Sequence, residues 1–477
     1  MTHDEPETDG NMPPGHASPD PLPSAEPILP LKSGGIGKAE SDKSVHGDEQ
    51  SPPPSAPPPP EDADLSEFLD RSHAELLTLC RERRLPARHD TSRFFLVMDL
   101  ARDHLKRGGV LTAEGILEFA PEAPMIRWPR FNFRTTPADL LLPVHLLRKH
   151  ALKPGLRIAG RVILQGERRL ALESISAIEG IPAEEWRPPA DFEKLTAMFP
   201  NRRIYLERPG IPDPTARAID LLSPLGMGQR GLIVAPPRVG KTMMLKSIAL
   251  SIQANHPDIH LMLLLIDERP EEVTDLRRSL SCDVFSSTFD EPTSRHVQVA
   301  EMVAERAKRL VELGKDVVIL IDSITRLSRG YNNAVQGKGR TMSGGVDSAA
   351  LARPKRFFGS ARNVEEGGSL TILATALVGT HSRMDDLIFE EYKGTGNMEI
   401  HLDRSIMELR TFPAIHVAQT GTRREELLYH PDEYDRVIAL RRQLLELPAA
   451  EAMQILSLNI ETTRSNAELL LAGLKGL

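Results

Sequence analysis

The chain has 477 residues, too many for one hydrophobic core, and predicts two or three folded domains. Its composition is 40% hydrophobic and 26% charged, with a formal net charge of −8, which argues against a membrane protein and against a wholly disordered chain. Cys80 and Cys282 stand far apart and outside any Cys-x-x-Cys motif, so we expect no disulfide scaffold and no zinc site. The acidic N-terminus predicts no signal peptide, and we expect a protein of the reducing cytoplasm.

The first 62 residues differ in composition from the rest of the chain. They contain 12 acidic and 3 basic residues, 15 of the 39 prolines and no Phe, Trp or Tyr. Such a segment cannot bury enough apolar surface to offset the entropy lost on ordering, so residues 1–62 are predicted to be a disordered, acidic, Pro-rich tail. Because this tail carries all of the excess negative charge, the net charge does not exclude a nucleic-acid partner.

Two small domains are predicted after the tail. Apolar residues at three- and four-residue spacing predict a helical subdomain over residues 63–108, with Asp90-Thr91 marking the start of its last helix. Over residues 109–180 the apolar period shifts towards two, and short strands divided by turn residues predict a β-barrel of the OB type. Residues 181–214 are rich in Pro and Arg and are interpreted as a linker.

The largest domain is predicted over residues 215–477. Near-continuous apolar runs alternate there with helical stretches, which predicts an α/β fold with a parallel sheet covered on both faces. Ligands of such sheets bind at the carboxyl ends of the strands. The predicted strands are residues 231–234, 261–266, 317–321, 370–374 and 399–402.

A phosphate-binding loop is predicted directly after the first of these strands. Residues 235–242 are Ala-Pro-Pro-Arg-Val-Gly-Lys-Thr and precede a helical stretch, which is the context that a Walker A motif requires. Backbone N–H groups would hold the phosphates, Lys241 would reach the β- and γ-phosphates of ATP, and the Thr242 hydroxyl would bind Mg²⁺. The alternative is a chance match in a surface turn, since Ala235 stands where the general motif has Gly.

Two further strands end in carboxylates that complete the predicted site. The strand over 317–321 is followed by Asp322, a Walker B arrangement in which the carboxylate holds Mg²⁺. The strand over 261–266 leads to Glu268 and Arg269. We assign Glu268 as the base that orients the attacking water and Arg269 as a sensor of the γ-phosphate. One such acid is often only a helix cap or a solvated pair, but three converging strand ends predict ATP hydrolysis.

Longer motifs in this domain are found at residues 231–242, 265–274, 287–292, 322–327, 353–359 and 393–398. Together they resemble the bacterial Rho family of transcription termination factors, and the resemblance covers about residues 220–426. The resemblance implies a RecA-like P-loop ATPase domain and a homohexameric ring with ATP and Mg²⁺ between its subunits. It also implies an RNA-dependent ATPase that moves along single-stranded nascent RNA and releases it from RNA polymerase.

The resemblance further implies roles for particular residues. Phe412 is expected to stack on the adenine, and Arg423 to act as an arginine finger on the γ-phosphate of the neighbouring subunit, assisted by Arg410. A cation supplied in this way makes hydrolysis depend on assembly. The residues implied to line the nucleotide are Gly226, Met227, Gly228, Gln229, Arg230, Gly231, Arg238, Val239, Gly240, Lys241, Thr242 and Met243.

Two loops are implied to contact RNA in the pore of the ring, each with an arginine where the family has a lysine. A Gly-rich basic loop can follow a phosphate backbone without reading sequence, although a mobile surface loop is equally typical of the pattern. The second loop carries Arg383. The contact residues of the first loop are Gly339, Arg340, Thr341, Met342, Ser343, Gly344 and Gly345.

The barrel departs from the family pattern at its implied RNA site. Residues 123–128 are Ala-Pro-Met-Ile-Arg-Trp where the family has a Gly-Phe-Gly-Phe-type stacking strand, and Arg169 replaces another aromatic residue. Trp128, Phe131 and Phe133 either form a replacement surface for base stacking or belong to the barrel core. The cytidine preference that the family implies is therefore not carried over.

These features together predict an ATP-dependent RNA translocase that terminates transcription. An RNA-binding ring ATPase without termination activity is the first alternative. A related ring ATPase that works in rotation or protein export is the second, and the pore loops and the barrel argue against it.

Overall fold

The structure is a computed structural model that describes residues 61–166, 169–335 and 345–476. The predicted tail lies outside these ranges except for residues 61 and 62. The described residues form a helical subdomain, a small β-barrel and a large α/β domain. No helix in these ranges is long and apolar enough to cross a lipid bilayer.

Short helices form the first folded part of the chain. The first two helices begin at capping boxes. In each box the side chain of Asp64 or Ser72 accepts a hydrogen bond from a backbone N–H group, and the backbone N–H of that same residue donates to a glutamate carboxylate. The third helix begins at Arg93, slightly later than the Asp90-Thr91 start that the sequence predicts. The elements are β1 (Ala63–Asp64), α1 (Leu65–Asp70), α2 (His73–Glu82) and α3 (Arg93–Lys106).

A closed β-barrel follows, which confirms the predicted OB-type domain. Its strands are joined in the order β2-β3-β4-β6-β5, and β5 pairs again with β2 to close the barrel. Gly160 allows two strands to cross closely, because a Cβ there would lie 2.1 Å from the carbonyl oxygen of Ser174. The elements are β2 (Leu111–Phe119), β3 (Pro124–Arg127), β4 (Leu140–Leu141), α4 (Val144–Lys149), β5 (Arg157–Gln165), β6 (Arg169–Ile178) and β7 (Ile181–Pro182).

A buried ionic cluster links three parts of the barrel. The Arg127 side chain is buried and pairs with the carboxylates of Glu118 and Asp139. Burial raises the pKa of Asp139, while hydrogen bonds from Thr136 and the charge of Arg127 act in the opposite direction. Because the arginine is the counter-charge of two buried acids, its removal leaves them uncompensated.

Replacing Arg127 with methionine is therefore expected to destabilise the barrel by about 3–5 kcal/mol, the usual cost of breaking a buried ion pair. Denaturant unfolding followed by tryptophan fluorescence measures the change, since Trp128 and Trp186 both lie buried in the barrel core. The matched control is Arg130→Met, which breaks the exposed pair with Asp70 and is expected to cost less than about 1 kcal/mol. Equal effects of the two changes would contradict the expectation.

The contacts by which the barrel packs against the α/β domain include an aromatic pair and a buried ion pair. The ring of Phe133 stacks on Phe285 with 5.0 Å between ring centroids. Arg306 donates hydrogen bonds to the Glu179 carboxylate at 2.5 Å and to the Gly155 carbonyl oxygen at 3.2 Å. The RNA-binding barrel that the sequence predicts is thus fixed to the α/β domain by its own core residues.

The α/β domain is built on one large sheet. Its strand order is β13-β12-β14-β16-β11-β17-β18, in which all neighbours are parallel except β18. The strands are β8 (Ala197–Met198), β9 (Arg203–Ile204), β10 (Leu225–Gly226), β11 (Arg230–Ala235), β12 (His260–Glu268), β13 (Asp283–Thr288), β14 (Asp316–Asp322), β15 (Arg362–Val364), β16 (Ser369–Leu377), β17 (Met398–His401) and β18 (Gly421–Thr422).

Helices cover both faces of this sheet. Side chains alternate between two apolar cores along each strand, so that Ile233 packs on one face and Leu232 on the other. The helices are α5 (Pro214–Leu222), α6 (Lys241–Asn255), α7 (Pro270–Ser279), α8 (Thr293–Glu312), α9 (Ile324–Val335), α10 (Ala352–Gly359), α11 (Arg383–Lys393), α12 (Arg404–Glu408), α13 (Pro431–Leu445), α14 (Ala449–Thr462) and α15 (Asn466–Ala472).

Candidate functional site

The predicted phosphate-binding loop connects β11 to α6. The strand ends at Ala235 and the helix begins at Lys241, so the loop lies at the carboxyl edge of the sheet. Arg238 and Gly240 have positive φ angles of 68° and 92°, which turn the chain into the helix. The space beside Gly240 is open, and the N–H groups of the first helical turn point towards it. This helix end is suited to bind an anion.

Three strand ends bring Lys241, Glu268 and Asp322 together. Lys241 Nζ lies 2.6 and 2.7 Å from the two carboxylate oxygens of Asp322 and 3.6 Å from Glu268 Oε2. The two acids converge because β12 and β14 are adjacent, with Leu265 opposite Asp322. The residues that the sequence assigns to phosphate, metal and water therefore lie in one cluster.

Glu268 has the environment of a group that can accept a proton. It is 3% exposed, and burial raises the pKa of its carboxyl group above the ordinary value. The neighbouring charge of Asp322 acts in the same direction, whereas Lys241 and Arg326 act against it. Its Oε1 accepts a hydrogen bond from the Arg269 backbone at 3.1 Å, and its Oε2 has no hydrogen-bond donor in the described residues. This second oxygen is buried and keeps its capacity to accept a hydrogen bond.

Two residues of the cluster were missed by the sequence interpretation. Thr375 donates a hydrogen bond to Asp322 Oδ1 at 2.8 Å, and the available signal was its position directly after the predicted strand 370–374. Arg326 lies with Nη1 3.6 Å from Glu268 Oε2 and also donates to the carbonyl oxygen of Asp267. Its approach depends on the turn between β14 and α9, which no local pattern reveals.

Other residues predicted for the nucleotide lie around the same edge of the sheet. The chain that leads to Phe412 reaches this edge at Leu402. The Leu402 N–H donates to the carbonyl oxygen of Val234 at 2.8 Å, and Val234 lies just before the phosphate-binding loop. Val239 is buried beneath the loop and packs in the core. Predicted site residues that are exposed at this edge include Arg238, Met243, Arg269 and Phe412. Arg410, which the resemblance implies to assist Arg423, is also exposed here and so lies at the edge opposite Arg423.

Residues 226–231 lie at the opposite edge of the sheet. The strand β11 begins at Arg230, and the five residues to Ala235 span about 16 Å at about 3.3 Å per residue. The resemblance implies that Gly226, Met227, Gly228, Gln229, Arg230 and Gly231 line the nucleotide, and they lie at the edge of the sheet opposite the loop of their own subunit. Close packing explains one of the glycines, since a Cβ at Gly228 would lie 2.1 Å from the backbone nitrogen of Asn363.

Arg423 also lies at this opposite edge. It directly follows β18, whose Thr422 pairs with Met398 at the beginning of β17. The Arg423 N–H donates to the Asn397 carbonyl oxygen at 2.9 Å, and the Asn397 N–H donates to the Arg230 carbonyl oxygen. Arg423 is thus level with the beginning of β11 and far from Lys241 of the same chain.

The first of the two loops predicted to contact RNA lies mostly outside the described residues. Gly339, Arg340, Thr341, Met342, Ser343 and Gly344 are outside the described residues, and only Gly345 of that loop is inside them. Arg383 is exposed at the beginning of α11. A Cβ at Gly345 would lie 4.0 Å from Met384 Cε, so the end of the first loop adjoins the second.

The barrel aromatics are mainly core residues. Trp128 is 3% exposed and Phe133 is 0% exposed, so neither ring can stack on an RNA base and that prediction is corrected for both. Phe131 is half-buried, with its ring edge-on to Phe94 at 5.1 Å and the Arg93 guanidinium 5.6 Å from its centroid. Trp128 packs in the barrel core, whereas Phe133 packs in a core of the α/β domain, where it stacks on Phe285.

Comparisons with known proteins identify the family. Residues 215–421 match the nucleotide-binding domain of the ATP synthase alpha/beta family. The chain is 49% identical over 420 residues to transcription termination factor Rho of Akkermansia muciniphila, covering 87% of this chain and 88% of that protein. It is 51% identical over 376 residues to the Rho factor of Chromobacterium violaceum, covering 78% of this chain and 90% of that protein.

A solved ATPase from the type III secretion system of pathogenic bacteria shares the fold, with a TM-score of 0.50, 22% identity and coverage of 64% of this chain and 94% of that one. This likeness concerns the fold alone, whereas the Rho relatives match in sequence over most of their length. The RecA-like fold and the resemblance predicted from the motifs are both confirmed. The chain therefore belongs to the Rho family, as an ATP-hydrolysing transcription termination factor.

Proposed function

We propose that the chain is one subunit of a homohexameric ring that hydrolyses ATP in response to single-stranded RNA, moves along the nascent transcript and releases it from RNA polymerase. The observation that carries the proposal is the separation of two half-sites on one subunit. Lys241, Glu268 and Asp322 lie at one edge of the sheet, and Arg423 lies at the other. Hydrolysis that uses all four residues needs a neighbouring subunit.

Within one half-site, each residue has a distinct task. The loop N–H groups bind the phosphates, and Lys241 exchanges its contact with Asp322 for the β- and γ-phosphate oxygens of ATP. Glu268 accepts a hydrogen bond from the attacking water and takes its proton as the water oxygen bonds to the γ-phosphorus. The bond between the γ-phosphorus and the bridging oxygen of the β-phosphate breaks at the same time, so that ADP and phosphate leave. Arg269, exposed at the start of α7, reaches towards the γ-phosphate.

The residues near the loop fit a magnesium ion. The groups on offer are oxygens, the Thr242 hydroxyl and the Asp322 carboxylate, which are the ligands that Mg²⁺ prefers. Asp322 is oriented by Thr375, and Thr242 lies within 3.5 Å of the Glu272 carboxylate. Bound Mg²⁺ neutralises negative charge on the phosphate oxygens. Thr242 and Asp322 would hold it together with water and phosphate oxygens.

Phe412 is proposed to hold the adenine. Its ring is 51% exposed, at the same edge of the sheet as the phosphate-binding loop. Stacking of a base on an aromatic ring contributes about 1–3 kcal/mol of binding free energy. Phe412→Ala is expected to weaken ATP binding about tenfold, measured as the KM for ATP, with kcat little changed. Leu409→Ala is the matched control, since Leu409 is 59% exposed in the same loop. An unchanged KM in Phe412→Ala would place the adenine elsewhere.

RNA is proposed to contact the two adjoining loops that contain Gly345 and Arg383. The support is their proximity and the exposed arginine at the start of α11. Positive charge without base-edge contacts fits a loop that follows a phosphate backbone. Because Trp128 and Phe133 are buried, the barrel would bind RNA with Phe131 and exposed basic residues instead.

The proposal is tested by ATP hydrolysis and by transcript release. Single-stranded homopolymer RNAs are expected to stimulate ATP hydrolysis by the full chain, and Lys241→Ala is expected to abolish it. A stalled transcription complex should then release its RNA only when ATP is present. Stimulation by RNA without release would favour the alternative of an RNA-binding ring ATPase that does not terminate transcription. No stimulation by any RNA would overturn the proposal.

A further inference from the structure

Residues 223–230 surround the base of Arg423. The Thr422 hydroxyl donates to the Pro224 carbonyl oxygen at 2.9 Å and lies 3.1 Å from the Ser223 hydroxyl. On the other side, Asn397 accepts the Arg423 N–H with its carbonyl oxygen. The Thr422 side chain and the N–H of Arg423 are therefore held by hydrogen bonds to this segment and to Asn397.

Gln229 makes the central contacts of the segment. Its Nε2 donates to Asn397 Oδ1 at 2.7 Å and to the Asn397 carbonyl oxygen at 3.1 Å, which is the same oxygen that accepts from Arg423. The Arg230 N–H also donates to Asn397 Oδ1, at 2.9 Å. Because both Asn397 oxygens accept other N–H groups, the amide orientation of Gln229 is fixed with Nε2 towards Asn397.

The arginine itself is exposed, whereas its support is buried. Gln229 is 0% exposed, and Arg423 projects into solvent. In the part of the chain that the structure describes, the Arg423 guanidinium forms no ion pair, while its neighbour Arg424 pairs with Glu426. A free cation on a buried hydrogen-bonded base is preorganised for a charge that another molecule supplies.

We propose that Gln229, acting through Asn397, is a positioning residue for Arg423. The segment that contains Gln229 then serves the ATP of the neighbouring subunit and not the ATP on its own loop. This inference rests on the proposed function, in which Arg423 reaches the γ-phosphate across the subunit boundary. A misplacement of the guanidinium lowers the rate because its contact matters most in the transition state.

The first test separates positioning from nucleotide binding. Gln229→Leu keeps the size of the side chain and removes both donors, and kcat for ATP hydrolysis is expected to fall at least tenfold. Equilibrium binding of a non-hydrolysable ATP analogue is expected to stay within about twofold, since the residue does not touch the nucleotide of its own subunit. Weakened analogue binding, or an unchanged kcat, would overturn the inference.

The matched control for that variant is Ser369→Ala. Ser369 is also buried at the beginning of a strand and donates a hydrogen bond to Asp316 at 2.7 Å, but it does not touch Asn397. It is expected to keep its kcat. If Gln229→Leu does not assemble, Asn397→Ala removes the Oδ1 acceptor of Gln229 Nε2 and of the Arg230 N–H from a half-buried position, and kcat is again expected to fall.

Mixed rings identify the subunit on which Gln229 acts. Gln229→Leu subunits retain an intact phosphate-binding loop, so mixing with Lys241→Ala subunits, which retain Arg423, is expected to restore single-turnover hydrolysis. Mixing with Arg423→Ala subunits is expected to restore nothing, because neither subunit then offers a well-placed arginine. The opposite pattern would show that Gln229 serves its own nucleotide.

A third mixture distinguishes this inference from the proposed function. Arg423→Ala and Lys241→Ala subunits are expected to restore hydrolysis together if the arginine acts across the boundary. Failure of this mixture would overturn the proposed arrangement of half-sites and the inference with it. Success of this mixture with failure of the Gln229→Leu and Lys241→Ala mixture would overturn the role of Gln229 alone.

Discussion

Replacing Glu268 with glutamine is expected to lower the rate of ATP hydrolysis by about 10²–10⁴-fold, the usual contribution of a general base. The amide keeps the shape of the side chain but cannot take a proton from water. ATP binding is expected to persist, because the Lys241 and loop contacts to phosphate remain. Single-turnover hydrolysis measures the loss, and analogue binding measures what is kept.

The control for this change is Glu271→Gln, which removes an exposed carboxylate three residues further along the chain. Its hydrolysis rate is expected to match that of the unmodified chain. Retained hydrolysis in Glu268→Gln would contradict the assignment of the base. So would a comparable loss in Glu271→Gln, because that side chain does not join the cluster.

The pH dependence of hydrolysis follows from the same carboxylate. Burial raises the pKa of Glu268, so the group becomes protonated at a higher pH than an exposed glutamate. A protonated carboxyl cannot act as a base, and kcat/KM is expected to fall as the pH is lowered through this raised pKa. The acid limb of the pH–rate profile should therefore lie above the ordinary glutamate value of about 4.3.

Replacing Lys241 with alanine is expected to weaken ATP binding by at least about 100-fold and to abolish measurable hydrolysis. Each charge-assisted hydrogen bond from the ammonium group to phosphate contributes about 1.5–3 kcal/mol, and the motif provides contacts to two phosphates. Equilibrium titration with an ATP analogue checks the affinity. Lys246→Ala, in the same helix and paired with Asp275, is the matched control with no expected effect.

The Lys241 change is also expected to alter stability in a pH-dependent way. Without the ammonium group, Asp322 and Glu268 are left as buried carboxylates whose charges repel each other, and the folded-state pKa of Glu268 rises further. An acid with a raised folded-state pKa costs stability above that pKa, and the cost disappears as the pH falls through it. The loss of thermal stability in Lys241→Ala should therefore be larger at pH 8 than at pH 5.

Much of this site could be predicted from sequence because its chemistry sits at the ends of apolar runs. Lys241, Glu268 and Asp322 each follow a strand that periodicity alone identifies, and parallel strands place their carboxyl ends together. The closed barrel was also predicted, although the short strands β3 and β4 were not. Strands of two to four residues carry too few side chains for a period to be visible.

The features that the sequence did not reveal have different physical causes. Residues 226–231 directly precede the phosphate-binding strand in sequence, but an extended strand carries the chain away by its whole length, so sequence neighbours lie at opposite edges. Trp128 and Phe133 alternate with basic residues, which is equally consistent with a stacking surface and with a barrel interior. Their burial depends on contacts with distant residues such as Phe285, which only the folded chain shows.

The placement of β18 beside the beginning of β17 has a consequence for stoichiometry. Because a subunit carries the loop at one edge and Arg423 at the other, the proposed assembly is head-to-tail, and in it every complete site would belong to a pair of neighbours. A single subunit then has no complete site, and an open chain has one fewer than its number of subunits. Closing the ring adds the last one, so specific activity should rise with protein concentration and report ring closure directly.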